Sequence, residues 1–286
     1  MSDSLHPVTE FLRIRPATIT DLVRFSIALV SGLIFKISGL KRVSPQIGNA
    51  SPGVFVPYKL KPLVVRNDGL LITTRPSELW MLTGVYEPRT VSWLRPRMGE
   101  TVVDVGAHIG FYTITAARAG ARVIAVEPDS SNFGILLHNV SRNGFLSTVT
   151  LVPAALSDRN GRKKLYTSIG GNALLSSLDH DWLPESQGKI NSTIIDCLTL
   201  DQLIEDNAIK TIDWLKVDVE SHQLHVLEGG RNALALTNHL IIEVTTDNSD
   251  ECLKLVRAAG LRVIAVENIG RDPHGKSAMY NWFCVR

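Results

Sequence analysis

Cysteine is scarce in this chain, and the little there is does not cluster. Cys197, Cys252 and Cys284 are far apart and form no Cys-x-x-Cys pair, so neither a zinc site nor a disulfide framework is signalled, and core thiols in a reducing, cytoplasmic compartment are expected. Net charge is scarce too. A formal +2 over 286 residues gives no support for wholesale binding of nucleic acid, and no such partner is expected. Hydrophobic runs of membrane-spanning length are missing: the apolar-and-small stretch 25–35 is too short to cross a bilayer, and Arg24 and Lys36 bracket it. No basic region leads directly into an apolar core with a small-residue cleavage site, which argues against a cleaved secretory signal. With 44% hydrophobic and 20% charged residues, the chain reads as globular and long enough for one large α/β domain carrying an appendage.

The stretch from Thr101 to Tyr112 organises the rest. Val102, Val103 and Val105 form the short apolar run of a parallel strand buried on both faces, and Asp104 interrupts it near its carboxyl end. Gly106 can take backbone angles closed to other residues, and Gly110 lets the helix that starts at Phe111 pack close to the strand. A second acid, Glu127, ends the next apolar run, Val123 to Val126, so Asp104 and Glu127 would face a nucleoside across the mouth of a doubly wound sheet. Here another absence decides between cofactors. The loop lacks Gly-x-Gly-x-x-Gly: Ala107 and His108 stand where a middle glycine would admit a pyrophosphate, and Asp104 would repel one. S-adenosylmethionine carries no phosphate but a sulfonium, an ammonium and a ribose diol suited to a carboxylate, so the charge pattern favours a methyl donor over a nicotinamide.

Read in order, the N-terminal 1–50 is an extension with an amphipathic helix at 22–40 and a linker. On that helix Arg24, Ser31 and Ser38 share one stripe, with Leu22, Phe25, Leu29 and Leu33 opposite. Flanked by Arg13, Arg15, Lys41 and Arg42, it suits either a peripheral position on a membrane surface or docking on the protein's own core. A small subdomain at 51–98 follows, with a hairpin around Asn67-Asp68-Gly69 and a helix at 77–85, and the catalytic domain is expected at 99–286. Its segments predict a doubly wound, seven-stranded, mostly parallel sheet whose last strand is antiparallel. Within it, 165–192 reads as a hairpin with a substrate-side loop, and 222–236 as one helix. Asp158 lies where an adenine edge is expected, or serves as a turn residue before Asn160-Gly161. Lys216, Asp218 and Glu220 fall on one side of the strand beginning at Ile212; burying three ionisable groups is costly, so a functional strand end is expected there rather than a structural ion pair.

These segments, in order, resemble the FkbM family of S-adenosylmethionine-dependent methyltransferases from about Tyr86 to the end. The match runs through Tyr86-Glu87-Pro88, Val103 to Gly110, Val126-Glu127-Pro128, Asn139 with Asn143, Ala155 to Asp158, Leu200-Asp201 and Leu215 to Glu220. The resemblance implies a class I, Rossmann-like methyltransferase fold, with Asp104, Gly106, Gly110 and Glu127 on the cofactor; the reading of the residues adds Ala107 and His108, through the backbone of the loop, and Asp158 at the adenine edge. The resemblance implies further that Asp218 and Glu220 face the transferred methyl, with a small-molecule or glycan hydroxyl as acceptor. Where the family commonly continues Gly-x-Glu, this chain has Ser221, His222 and Gln223, which makes His222 a third candidate beside Asp218 and Glu220 for handling protons. No metal is demanded by the spacing. A noncatalytic adaptor that keeps the fold and a nicotinamide oxidoreductase are the competing classes.

Overall fold

The computed structural model describes residues 14–23, 25–26, 62–67, 69–82, 86–169, 176–183 and 189–286. Four short apolar strands, β4 (Thr101–Val105), β5 (Arg122–Val126), β6 (Val149–Val152) and β11 (Ile212–Val217), lie parallel and form one side of a seven-stranded sheet. Its order is β13-β14-β12-β11-β4-β5-β6, completed by β12 (Thr237–Thr245), β13 (Arg262–Arg271) and β14 (Ala278–Val285). The last strand, β14, is inserted antiparallel between β12 and β13, as the absence of a helix before it requires.

Strand alternation divides the core in two. Val103, Val105, Leu215, Val217, Leu240 and Ile242 point to one face, where they meet α4 (Leu200–Asp206), α5 (Gln223–Glu228), α6 (Arg231–Ala235) and α7 (Ser249–Ala258). Val102, Val123, Ala125, Trp214 and Ile241 point to the other, under α2 (Phe111–Arg118), α3 (Ser130–Arg142) and the N-terminal segments. The alternation also decides where the acids go. Asp104 and Lys216 occupy register partners on the second face, one residue in from the carboxyl edge.

The segment read as one helix from His222 to Leu236 is two, broken at Gly229-Gly230. A Cβ on Gly229 would sit 2.1 Å from the Ser157 carbonyl oxygen, and one on Gly230 would press into Leu200 at 2.7 Å, so the break is a close approach between backbones. The stretch 165–192 also holds more than a hairpin. β8 (Gly161–Ile169) and β10 (Lys189–Leu198) pair antiparallel, and β7 (Ala155–Leu156) and β9 (Ser176–Ser177) flank them in a separate four-stranded sheet ordered β7-β10-β8-β9. A single-turn 3₁₀ helix, His180–Trp182, follows β9.

The expected hairpin is present as β2 (Leu63–Asn67) and β3 (Leu70–Thr74), and a 3₁₀ helix, Pro76–Leu82, replaces the α-helix expected at 77–85. Two asparagines tie this unit to the core. Asn139 accepts from Thr73 N (2.6 Å) and donates to Thr73 O, while Asn143 does the same with Leu71, so α3 covers the edge that β3 would otherwise expose. β1 (Arg15–Pro16) pairs with β2 across the boundary expected at residue 50. Phe25, which the membrane reading sends into the acyl layer, is buried in the protein's own core with Val65 and Ile72, and this favours docking for that part of the segment. Ile19, Leu22 and Val23 are exposed; the rest of the expected helix at 27–40 lies outside the described residues. Among the described residues no helix is long and apolar enough to cross a membrane.

Candidate active site

The carboxyl ends of β4, β5, β11 and β12 bring the candidate residues together. Gly106 leaves β4 at φ +80°, a left-handed conformation, and a Cβ there would lie 1.8 Å from the Asp218 carbonyl oxygen. No other residue fits between the two strand ends. Its N–H and that of Ala107 both donate to Val126 O, and Gly110, at φ +92°, starts α2. A Cβ on Gly110 would meet Leu136 of α3 at 2.6 Å, so this glycine serves helix packing.

Glu127 is buried at the end of β5 and faces the loop: Oε2 accepts from His108 N (2.9 Å) and Oε1 from Asp129 N (2.9 Å). Burial raises its pKa, against the pull of His108 and the two backbone donors. His108 itself has φ +52°, and its ring is more than a passenger of the loop. Nε2 lies 3.4 Å from Glu78 Oε1, and Arg75 reaches the same carboxylate at 2.5 Å, so the N-terminal unit grips the Gly106 to Gly110 loop directly. Burial opposes the charged ring, but Glu78 overcomes it and holds the His108 pKa above its ordinary value.

Asp104 is fully buried. Thr113 Oγ1 donates to Oδ2 at 2.6 Å, while Oδ1 has no hydrogen-bond partner. Lys216, 3% exposed, gives a hydrogen bond to Asp218 Oδ2 at 2.8 Å and stands 4.5 Å over the Tyr112 ring. Burial opposes its charge; Asp218, Asp104 and Glu87 outweigh that and raise its pKa. The ion pair between Lys216 and Asp218, which the sequence set against a functional strand end, is therefore formed. β11 ends at Val217, so Asp218 and Glu220 belong to the turn beyond it, where Glu220 (φ +49°) and Ser221 (φ +76°) are both left-handed. Trp182 Nε1 donates to Glu220 Oε2 at 2.9 Å and Ser177 Oγ donates to its carbonyl at 2.7 Å, so the small sheet reaches over the site and fixes this turn. Burial, then the Asp218 carboxylate, push the Glu220 pKa up to about 7.

His222 and Asp158 sit elsewhere. The Ser157 hydroxyl donates to Asp158 Oδ1 (2.8 Å), so it accepts from His222 Nε2, 2.9 Å away. The His222 ring stacks on His225 at 4.3 Å; burial, then His225, lower its pKa to about 3, which makes it a weak base at neutral pH. Asp158 pairs with Lys163 at 3.1 Å and Arg159 at 3.6 Å, the arrangement of the turn residue.

Two acids not singled out from the sequence join the cluster. Glu87, at φ +36° just before α1 (Pro88–Trp93), accepts from Tyr112 Oη (3.1 Å) and Asn281 Nδ2 (3.0 Å). Burial, then Asp218, raise it to about 7. Glu243 on β12 is buried, its Oε1 has no partner, and burial and the carboxylates of Asp218, Glu220 and Glu87 hold its pKa well above the usual range. The signal for Glu243 was available: an acid inside the apolar run Leu240 to Val244 is the same anomaly as Asp104. Among the described residues no group of His, Cys, Asp and Glu has the geometry to hold a metal ion. A cavity of about 470 Å³ is lined by Pro128, Phe133, Pro153 and Ile194 among other residues.

An unpartnered buried carboxylate oxygen at Asp104 and the buried carboxylate of Glu127, held against the Gly106 to Gly110 loop, fit a cationic nucleoside without phosphate. Comparison with known proteins agrees. Residues 104–265 match the family model described as "Methyltransferase FkbM domain". The 31-O-demethyl-FK506 methyltransferase FkbM of Streptomyces tacrolimicus is 28% identical over 204 residues, which cover 61% of this chain and 76% of that protein. The hexuronic acid methyltransferase AglP of Haloferax volcanii is 30% identical over 141 residues, covering 49% of this chain and 54% of its own. The chain belongs to the FkbM family of S-adenosylmethionine-dependent methyltransferases.

Proposed function

We propose that the protein transfers a methyl group to a hydroxyl of a glycan, a lipid-linked sugar or another small molecule. The observation that carries this reading is the gathering of carboxyl groups at the ends of β4, β11 and β12 around Lys216, beside the cofactor loop. An alcohol needs a hydrogen-bond acceptor to orient it and a group to receive its proton, and this site offers both. The relatives' names point the same way: one acts at an oxygen of 31-O-demethyl-FK506 and the other on a hexuronic acid.

Glu127 would accept from the ribose hydroxyls, Asp104 Oδ1 from the ammonium group, and the backbone at Gly106, Ala107 and His108 would line the nucleoside; Asp158, held by Lys163, would border the adenine edge. When bound, S-adenosylmethionine supplies a methyl group activated by positive charge on sulfur. Asp218, hydrogen-bonded by Lys216, orients the acceptor hydroxyl, and Glu220, whose pKa of about 7 suits a base at neutral pH, receives its proton. Trp182 holds Glu220 in place and contributes an apolar wall that excludes water. His222 supports the turn through Ser157.

Incubating the full-length protein with labelled methyl donor and separate pools of lipid-linked glycan, free sugars, hydroxylated small molecules and protein tests the reading. Base-stable label in a hydroxylated acceptor is expected. Label that enters protein nitrogen or carboxylate instead would overturn O-methylation.

A further inference from the structure

One step along from the row of Asp104 and Lys216, a second row of polar groups crosses the sheet on the same face. Glu243 of β12 is the register partner of Asn281 of β14, which is in turn the partner of Glu267 of β13. Their neighbours sort these groups. Glu267 accepts from Thr90 N (2.6 Å), Thr90 Oγ1 (2.7 Å) and Arg89 N (3.2 Å), so it caps α1. Asn281 spends an N–H on Glu87. Glu243 Oε1 is left with nothing, although the side chain is 6% exposed and lies among Asp218, Glu220 and Glu87. A buried carboxyl oxygen without a partner is costly, and a bound ligand that supplies the missing donor offsets that cost.

Glu87 carries a second, independent mark. It is a non-glycine residue at φ +36° and ψ +58°, and it precedes Pro88, which disfavours anything but extended backbone at that position. Nothing in the adjacent sequence requires this conformation. What it achieves is to set the Glu87 carboxyl between Tyr112 and Asn281, beside Glu243. Both Glu87 and Asn281 lie outside the segment that matches the family model, so the flanks of the core converge on this point.

We propose that Glu243 and Glu87, with Asn281 between them, form the acceptor-selecting end of the site and take an uncharged, polyhydroxylated compound while rejecting acidic ones. The inference rests on the O-methyltransferase reading and adds the acceptor's chemical class. Carboxyl groups and an amide are suited to bind neighbouring hydroxyls, because each hydroxyl both donates and accepts. The rejection comes from crowding of negative charge: Glu87, Glu220 and Glu243 have raised pKa values because burial and Asp218 disfavour their ionised forms, and Lys216 already pairs with Asp218. A carboxylate or phosphate beside the accepting hydroxyl would add one more buried negative charge to a cluster that already suppresses its own.

Full-length protein loaded with S-adenosylhomocysteine, whose affinity is read by calorimetry on the same samples, is probed by saturation-transfer NMR with methyl β-glucopyranoside and with glucuronate. The glucoside should bind at least 10-fold more tightly than glucuronate. Glu243→Leu should weaken the glucoside at least 10-fold, leave S-adenosylhomocysteine affinity within about 2-fold, and leave the melting temperature equal or higher, because an unsatisfied polar group has been removed. Glu87→Gln should narrow the preference for the glucoside over glucuronate at least 5-fold. Equal binding of the two probes, no binding of the glucoside, or unchanged glucoside binding in Glu243→Leu would overturn the proposal while the methyltransferase reading stands. A Glu87→Gln variant that loses S-adenosylhomocysteine assigns Glu87 to the cofactor and also overturns it. Wild-type protein that binds no S-adenosylhomocysteine removes the underlying reading, and this proposal with it.

Discussion

Replacing Lys216 by methionine is expected to destabilise the protein by about 3–5 kcal/mol, the usual cost of leaving the partner of a buried ion pair uncompensated. Methionine fills nearly the same volume, so packing against Tyr112 is largely kept and the loss reports charge. Asp218 loses its donor at 2.8 Å, and Asp104 and Glu87 lose the cation that offsets their burial. The direction of the pH dependence follows from linkage. Glu87, Glu220 and Glu243 have folded pKa values raised above 4.5, so the native state holds protons that the unfolded chain releases, and stability falls as pH rises from there through about 7. Without Lys216 the carboxyl values rise further, so the variant's deficit should be larger at pH 8 than at pH 5. Urea unfolding at the two pH values measures this. A deficit below about 1 kcal/mol, or one independent of pH, would show that the cluster is solvated and that Lys216 does not organise it.

Asp218→Asn is expected to lower turnover by about 100-fold or more, some 2.7 kcal/mol of transition-state stabilisation, with cofactor affinity little changed. An asparagine keeps the shape but no longer offers a full negative charge to the acceptor hydroxyl. The variant has a second signature. Asp218 is the first charge, after burial, that pushes Glu220 up to about 7, so the midpoint of the rising limb of the pH–rate profile should move to lower pH in Asp218→Asn. Normal turnover with the true acceptor would make Asp218 structural. A reduced rate with an unmoved midpoint would detach Glu220 from the proton transfer.

How much of this site the sequence disclosed depended on how local each cause was. Asp104 and Glu127 stood out because an acid at the end of an apolar run is visible within five residues, and the two glycines marked the turn between strand and helix. The seven-stranded, mostly parallel sheet with its antiparallel last strand followed from the alternation of strands and helices. Glu87 was visible only as part of a motif, since its left-handed backbone answers to Asn281, 194 positions away. The break at Gly229 answers to the Ser157 carbonyl, and the small sheet depends on Ala155 and Leu156 pairing in parallel with Cys197 and Leu198. The ring contact of His108 is not legible in the loop, because its partner Glu78 comes from the hairpin unit and nothing in the loop itself announces it.

The most direct test of the whole account is calorimetric titration of the full-length protein with S-adenosylmethionine, S-adenosylhomocysteine and NAD, repeated on Glu127→Ala. The methyl donor and its product should bind in the low to middle micromolar range, about 7–8 kcal/mol, and NAD should not bind. Glu127→Ala should weaken the methyl donor at least 10-fold while circular dichroism shows the fold retained. Binding of NAD without S-adenosylmethionine, or an unchanged affinity in Glu127→Ala, would contradict the account.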